Sequence, residues 1–449
     1  MPTPTYTITE LPPIIPIDPP LNPPYGSRAN DINLGDKAAG FASDSNSPGQ
    51  AAVWEGSSPH VLPAPRNVQS EAYALNDTGQ AVGIIYGPLE HAFYYSGSGQ
   101  IQDLSQVLGK PKSWASDINN AGVIVGTVGN GIDFSSFRPF IYDTKPSGSP
   151  LLLEPLPGTN GAFGCAINSA GDVAGVSAQD DFQYRVFLFD GKMRDLGVDG
   201  ISVVTDTLVD MNDSGVITGS APGSAFRIDS SADNPVPEYL PALPDQDQCG
   251  AYAINNSGIV VGQYWTVHFS YPYDRAFVSF PPSSKYAGSY DLNRPDVVTN
   301  LGDWALWSAT GINEEGQIVG WGTHQNDPVF EWRAFRLTPL PSPDDLALDR
   351  LEGLLAVFVM MFGGFARGGG GLGITASGLV IPIPPHEPLA SIWKRLLPEW
   401  ERLSGPERDM LIGSVVRKLT MLTHDPANRK LLEQACRAVI TRAIEKLKA

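Results

Sequence analysis

Charge is scarce in this chain, and basic charge is scarcest. Of 449 residues only 17% are charged, with 30 Lys+Arg against 48 Asp+Glu and a net charge of −18. Through residue 340 there are 16 basic and 36 acidic residues, a net of 16 − 36 = −20. Such a surface lacks the basic face that phosphate contacts need, so nucleic acid is excluded as a partner of this part. Cysteine is nearly absent. Cys165, Cys249 and Cys436 are odd in number, far apart, and show neither Cys-x-x-Cys nor metal-ligand spacing. The six histidines (His60, His91, His268, His324, His386, His424) are scattered, and neither His-Glu-x-x-His nor Gly-x-Ser-x-Gly occurs. Adjacent acids such as Asp180-Asp181 read as solvated loop residues. The expectation is therefore no cofactor, no metal and no catalytic residue: not an enzyme. The start, Met1 to Tyr6, has no basic segment followed by an apolar core, which argues against an ordinary signal peptide and favours the cytoplasm.

Long apolar runs are also missing, with one short exception. Leu354–Phe365 is uncharged, but twelve helical residues rise about 18 Å, short of a hydrocarbon core of about 30 Å. It reads as a buried helix or an oligomerisation surface, not a transmembrane span.

What the chain has in quantity is glycine (47) and proline (40), and one phrase that returns. An Asn opens a short turn, a Gly closes it, and an apolar pair ending in Gly follows, as in Leu75-Asn76-Asp77-Thr78-Gly79. The marker asparagines are Asn33, Asn76, Asn119, Asn168, Asn212, Asn255 and Asn313, spaced 43, 43, 49, 44, 43 and 58 residues apart. The first copy reads as one residue shorter at its turn. A period in the forties signals a repeat architecture.

Each repeat holds four strand signals. In the second copy these are Ala72–Asn76, Gln80–Gly83, the aromatic His91-Ala92-Phe93-Tyr94-Tyr95, and Gln102-Asp103-Leu104. The Asn caps the turn through its side chain and the Gly supplies a positive φ. Four-stranded sheets of this size bury both faces only by packing on neighbours, which a radial ring achieves. The predicted fold is an all-β, seven-bladed β-propeller of four-stranded blades over residues 1–340. Tyr6–Leu11 is expected to close the last blade by pairing with Ala334–Leu337.

The phrase Ala-x-x-Ile-Asn-x-x-Gly-x-Val-Val-Gly, then His91-Ala92-Phe93, then Asp-Leu-Gly, resembles the HAF repeat family over about residues 5–340. Other copies replace the His, as in Arg275-Ala276-Phe277 and Arg333-Ala334-Phe335. The resemblance implies a repeat fold and an extracellular setting, and it implies no catalytic residues.

Beyond residue 340 the pattern changes. Residues 341–389 read as the apolar helix and a Gly/Pro-rich linker that includes Gly368–Gly371. Residues 390–449 carry 12 basic and 7 acidic residues, and read as a small C-terminal α-helical module that docks or self-associates.

With the hairpin innermost, the long segments Pro12–Arg28, Thr127–Phe137, Ser177–Tyr184, Gln263–Asp274 and Asn293–Ser308 share one face. Loops on a rigid scaffold carry function, so this is the expected binding face. Tyr264, Trp265 and His268 in one loop, with Trp304 and Trp307 in another, are the candidate binding residues. Aromatic anchors suit a protein partner, with a glycan, or a glycan lyase or hydrolase at the propeller mouth, as the alternative.

Overall fold

The computed structural model describes residues 3–14, 26–44, 47–64, 68–131, 134–145, 148–178, 184–201, 209–221, 223–232, 234–241, 243, 248–265, 274–326, 331–340, 372–374 and 380–382. The chain divides into two units, Met1–Leu340 and Pro341–Ala449. In the second, strands 372–374 and 380–382 form an antiparallel pair. The apolar segment 354–365 and the helical module 390–449 lie outside the described residues. Among the described residues no helix is long and apolar enough to cross a membrane.

The first unit is a seven-bladed β-propeller of four-stranded antiparallel blades. Strand β1 (Tyr6–Leu11) opens the chain. Blade one is β2 (Ser27–Ile32), β3 (Lys37–Asp44), β4 (Ser47–Glu55) and β5 (Ser58–Val61). Blade two is β6 (Ser70–Leu75), β7 (Ala81–Ile85), β8 (His91–Tyr95) and β9 (Gln102–Asp103). Blade three is β10 (Lys112–Ile118), β11 (Val123–Gly129), β12 (Arg138–Asp143) and β13 (Leu151–Leu152). Blade four is β14 (Gly161–Ile167), β15 (Val173–Ala178), β16 (Tyr184–Phe189) and β17 (Met193–Ile201). Blade five is β18 (Val209–Met211), β19 (Val216–Ala221), β20 (Ser224–Asp229) and β21 (Glu238–Tyr239). Blade six is β22 (Gln248–Ile254), β23 (Val260–Trp265), β24 (Arg275–Phe280) and β25 (Gly288–Asp291). Blade seven joins β26 (Trp304–Ile312), β27 (Ile318–His324) and β28 (Arg333–Pro339) to β1 as its outermost strand.

Each part of the repeated phrase has its own task. The aromatic strand puts its Phe at the centre of the blade: Phe93, Phe140, Phe187, Phe226, Phe277 and Phe335 are all fully buried. Opposite stands the glycine that ends the second-strand phrase, as in Gly83↔Phe93 and Gly320↔Phe335. A Cβ on Gly83 would overlap the Glu71 carbonyl of the inner strand and crowd the Phe93 ring. The inner strand is bulged here, with the register shifting between Ala72 and Ala74. Bulges recur between Ala29/Asp31, Ala115/Asp117, Gly164/Ala166, Ala251/Ala253 and Ala309/Gly311. Small residues let the backbones approach where the ladder bends. The residue opening the aromatic strand pairs with the acid of the fourth strand: His91 with Asp103 at 3.0 Å, Arg275 with Asp291 at 3.1 Å, and Arg333 with Glu10 at 2.9 Å.

The turns correct one reading. Gly79, Gly122, Gly171, Gly215, Gly258 and Gly316 all have positive φ, as the turn demands. In the first copy Asp36 takes that place at φ 62°, and the Asp36 N–H donates to the Asn33 carbonyl as Gly79 does to Asn76. The first turn is therefore the same length as the others, with Asp in the glycine position. Its carboxylate accepts from Arg336 and from Gln317 Nε2, so the strained residue ties blade one to blade seven.

Closure runs through β1. Ile8 pairs with Leu337 and Leu11 with Ala334, and Tyr6, Ile8 and Leu11 are buried. The Tyr6 N–H donates to the Val297 carbonyl, and Asn300 both accepts from the Ile8 N–H and donates to its carbonyl. Deleting residues 1–12 strips three buried side chains worth about 1.5–3 kcal/mol each and leaves an open edge. Thermal unfolding should show a fall in Tm of roughly 10 °C; an unchanged Tm would mean that β1 does not hold the ring.

Candidate functional site

The ring has two unlike faces. On one, the inner turns are joined side to side by the marker asparagines. The Asn76 Nδ2 donates to the Asn119 carbonyl at 3.0 Å, and Asn119 does the same to Asn168. The same link runs from Asn33 to Asn76, from Asn212 to Asn255, from Asn255 to Asn313, and from Asn313 back to Asn33. Between blades four and five, the Ser169 N–H donates to Asp213 Oδ1. Meanwhile the Asn76 Oδ1 accepts from the Thr78 and Gln80 N–H groups of its own turn. All seven asparagines are buried, as their repeated position requires. Their polar atoms are used within the ring, which makes them structural.

Deeper in the ring stand three carboxylates, two residues before the marker in alternate blades: Asp31, Asp117 and Asp210. The other inner strands carry Ala74, Ala166, Ala253 and Gly311 at this position. Asp31 bridges two blades, with Oδ1 accepting from its own Ile32 N–H and Oδ2 from the Leu75 N–H. Asp117 accepts likewise from Ile118 and Ile167. Asp210 accepts from the Ile254 N–H. Each carboxylate thus serves donors that face the axis, where no further strand exists to pair them.

Burial raises these carboxyls far above the ordinary range: Asp31 to about 7, Asp117 to about 6 and Asp210 to about 8. The backbone donors act against this, and mutual repulsion adds to it. Asp210 feels Asp117 and Asp31, and since these lie on blades that are not neighbours, the coupling runs across the axis. Among the described residues no group of three His, Cys, Asp or Glu could hold a metal ion.

The opposite face holds the other ends of these strands and the described connections between blades, such as 104–111 and 292–303. The candidate aromatics do not gather there as loop anchors. Tyr264 is fully buried on β23, its ring centre 4.4 Å from Phe277 and its hydroxyl donating to the Pro241 carbonyl at 2.8 Å. Trp304 and Trp307 belong to strand β26 and are buried. Trp304 packs 4.3 Å from His324, and Trp307 Nε1 donates to Thr323 Oγ1. Trp265 ends β23 half-buried, donating to Gln248 Oε1 at 2.8 Å. His268 lies outside the described residues. The rings read as loop anchors because strand cores and binding loops are equally rich in aromatics.

Two other clusters lie near this face. Trp114 and Phe163, on inner strands of blades three and four, pack with Phe137 at 5.4 to 5.9 Å. At the seam of blades seven and one, Trp307 stacks on Trp321 at 6.1 Å, and Trp321 lies 5.5 Å from Trp332. The Arg28 guanidinium sits 4.8 Å from the Trp321 ring and 4.2 Å from Trp332. Sequence reasoning missed Arg28, Trp321 and Trp332. Aligning the repeats does not single out Arg28, since Glu71, Trp114, Phe163, Gly250 and Ser308 at the same step before their markers share no residue type.

No family model and no curated protein matches this chain. Its resemblance to HAF repeats therefore rests on the motif phrases alone. Among solved structures the chain is similar to a mutant lectin of Aleuria aurantia in complex with alpha-methyl-L-fucoside. That match has 12% identity and a TM-score of 0.36, and covers 65% of this chain and 96% of the lectin. It is also similar to a prolyl endopeptidase, at 12% identity and a TM-score of 0.44, covering 66% of this chain and 45% of that one. Trypanosoma rangeli sialidase matches at 12% identity and a TM-score of 0.36, covering 79% and 66%. Likeness at this level concerns the fold and carries no ligand or reaction across.

The raised carboxyls make stability depend on pH with a definite sign. A group whose folded pKa exceeds its unfolded value near 3.8 takes up a proton on folding. Its stabilising contribution is complete below about pH 4 and is lost as pH rises through 6 to 8. Tm should therefore fall across that window, and Asp210→Asn should flatten the fall by about one proton. Equal slopes for the variant and the parent in thermal unfolding would contradict the assignment.

Proposed function

We propose that this chain is a non-catalytic binding propeller whose long-loop face holds a protein partner. The observation behind it is the asymmetry of the faces. One is closed by a ring of asparagine links that use their own donors and acceptors. The other carries the long connections on a rigid frame, where recognition residues are usually placed. Polar residues of the types used in catalysis have structural partners: His91 bonds Asp103, His324 bonds Asp303, and the axial aspartates accept backbone N–H groups. Of the first five candidates, Trp265 stays a contact residue, while Tyr264 is buried between blades five and six and Trp304 and Trp307 are buried on blade seven. A helical module after residue 389 that docks or assembles belongs to the same reading.

Capture from extracts of the source cells on the immobilised full chain tests the choice of face. Ser135→Arg, on an exposed loop of the long-loop face, should abolish retention of the partner. Thr78→Arg, exposed in an asparagine turn, should leave it intact. Loss with Thr78→Arg alone would move the site to the other face, and retention of purified glycans in place of a protein would overturn the class of partner.

A further inference from the structure

We propose that Arg28 is the anchor of an acidic-peptide site at the seam of blades seven and one, a proposal that rests on the protein-binding reading above. Charge is the first argument. Arg138, Arg185, Arg194, Arg227, Arg275, Arg294, Arg333 and Arg336 each have a carboxylate within 4.0 Å. Among the described arginines, Arg28 alone has none. In a unit carrying 36 acids against 16 bases, a guanidinium left without a carboxylate is against the odds of composition.

Position is the second. Arg28 is the second residue of the inner strand β2, at its long-loop end. Two indoles hold it, Trp321 from β27 and Trp332 from the segment before β28. The Trp332 carbonyl accepts from the Ser27 N–H at 2.9 Å, which fixes the segment against blade one. The Arg28 Nε is buried and has no hydrogen-bond partner, while the residue as a whole is half-buried. A guanidinium has five donors in a rigid fork that matches a carboxylate, and indole faces hold it without using those donors. The site is therefore preorganised and its donors are unspent.

The same geometry selects between ligands. A sugar ring would need a free indole face, but Trp321 is flanked by Trp307 and Arg28, and Trp332 has Arg28 over it. What the seam offers is the edge of the cation, which suits a side-chain carboxylate of a protein. Arginine and tryptophan at the centre of a contact are also the residues that dominate protein interfaces.

The test uses the folded full chain and two rhodamine-labelled, end-blocked peptides. One has paired glutamates between serines and glycines; the other has glutamines in their place. Fluorescence anisotropy should show the glutamate peptide binding and the glutamine peptide binding about tenfold or more weakly, the size expected for a charge-assisted bond. Arg28→Met should lose binding to the same degree with Tm unchanged, while Lys110→Met, a charge control on the same face, should not. Intrinsic tryptophan emission should change on binding in the parent chain only. Equal affinity for the two peptides, an unaffected Arg28→Met, or no binding up to about 10 mM would overturn the proposal. If these failures occur while Ser135→Arg still abolishes partner capture, only the Arg28 site falls. Tighter binding of glucuronate than of peptide would overturn the protein reading itself.

Discussion

The ring depends on one side-chain amide used in two directions. In each blade the marker asparagine accepts, through Oδ1, the N–H groups of its own turn, and in six of seven blades it donates through Nδ2 to the next asparagine's carbonyl. Asparagine suits this because it carries a neutral acceptor and donor on one short arm. The link also explains why repeats of 43 to 58 residues can coexist. Only the turns must coincide; the length between them is taken up in loops on the other face.

Seven is an odd number, and the inner ring shows the consequence. Carboxylates bridge blades one to two, three to four and five to six, which leaves blade seven unmatched. Its Gly311 carries no side chain, and the adjoining Thr310 hydroxyl donates to the Ala29 carbonyl at 2.6 Å. Arg336 and Gln317 both reach Asp36 at the same junction. To the common asparagine link the seam thus adds contacts of its own, through Thr310 and Asp36. It is also where β1 closes the chain and where Arg28 stands between its indoles.

Local signals made the fold readable. The turn glycines, the phenylalanine at each blade centre and the closing strand all act within one repeat or between its neighbours. The first turn is the exception: its sequence offers Gly35, while the chain places positive φ on Asp36. The site was less legible. Tyr264, Trp304 and Trp307 lie in stretches whose strand ends are not fixed by alternation alone, and their burial follows from β23 running on to Trp265 and β26 starting at Trp304. Asp31, Asp117 and Asp210 matter through contacts across blades and across the axis. Arg28 matters because a partner is missing in three dimensions, and an absence of that kind has no sequence motif.

The most direct test of the ring of links is equilibrium urea unfolding of Asn255→Asp. The substitution keeps an oxygen to accept the Ser257 and Ile259 N–H groups, so the turn survives. It replaces the Nδ2 donor to the Asn313 carbonyl with a second acceptor, so only the link to blade seven is lost. A buried carbonyl left facing an acceptor costs about 1–3 kcal/mol, and the added charge costs more. The account predicts a lower midpoint with an unchanged m-value, from a loss of about 2 kcal/mol or more. A variant as stable as the parent would show that the blades are held by packing alone and that the asparagines serve only their own turns.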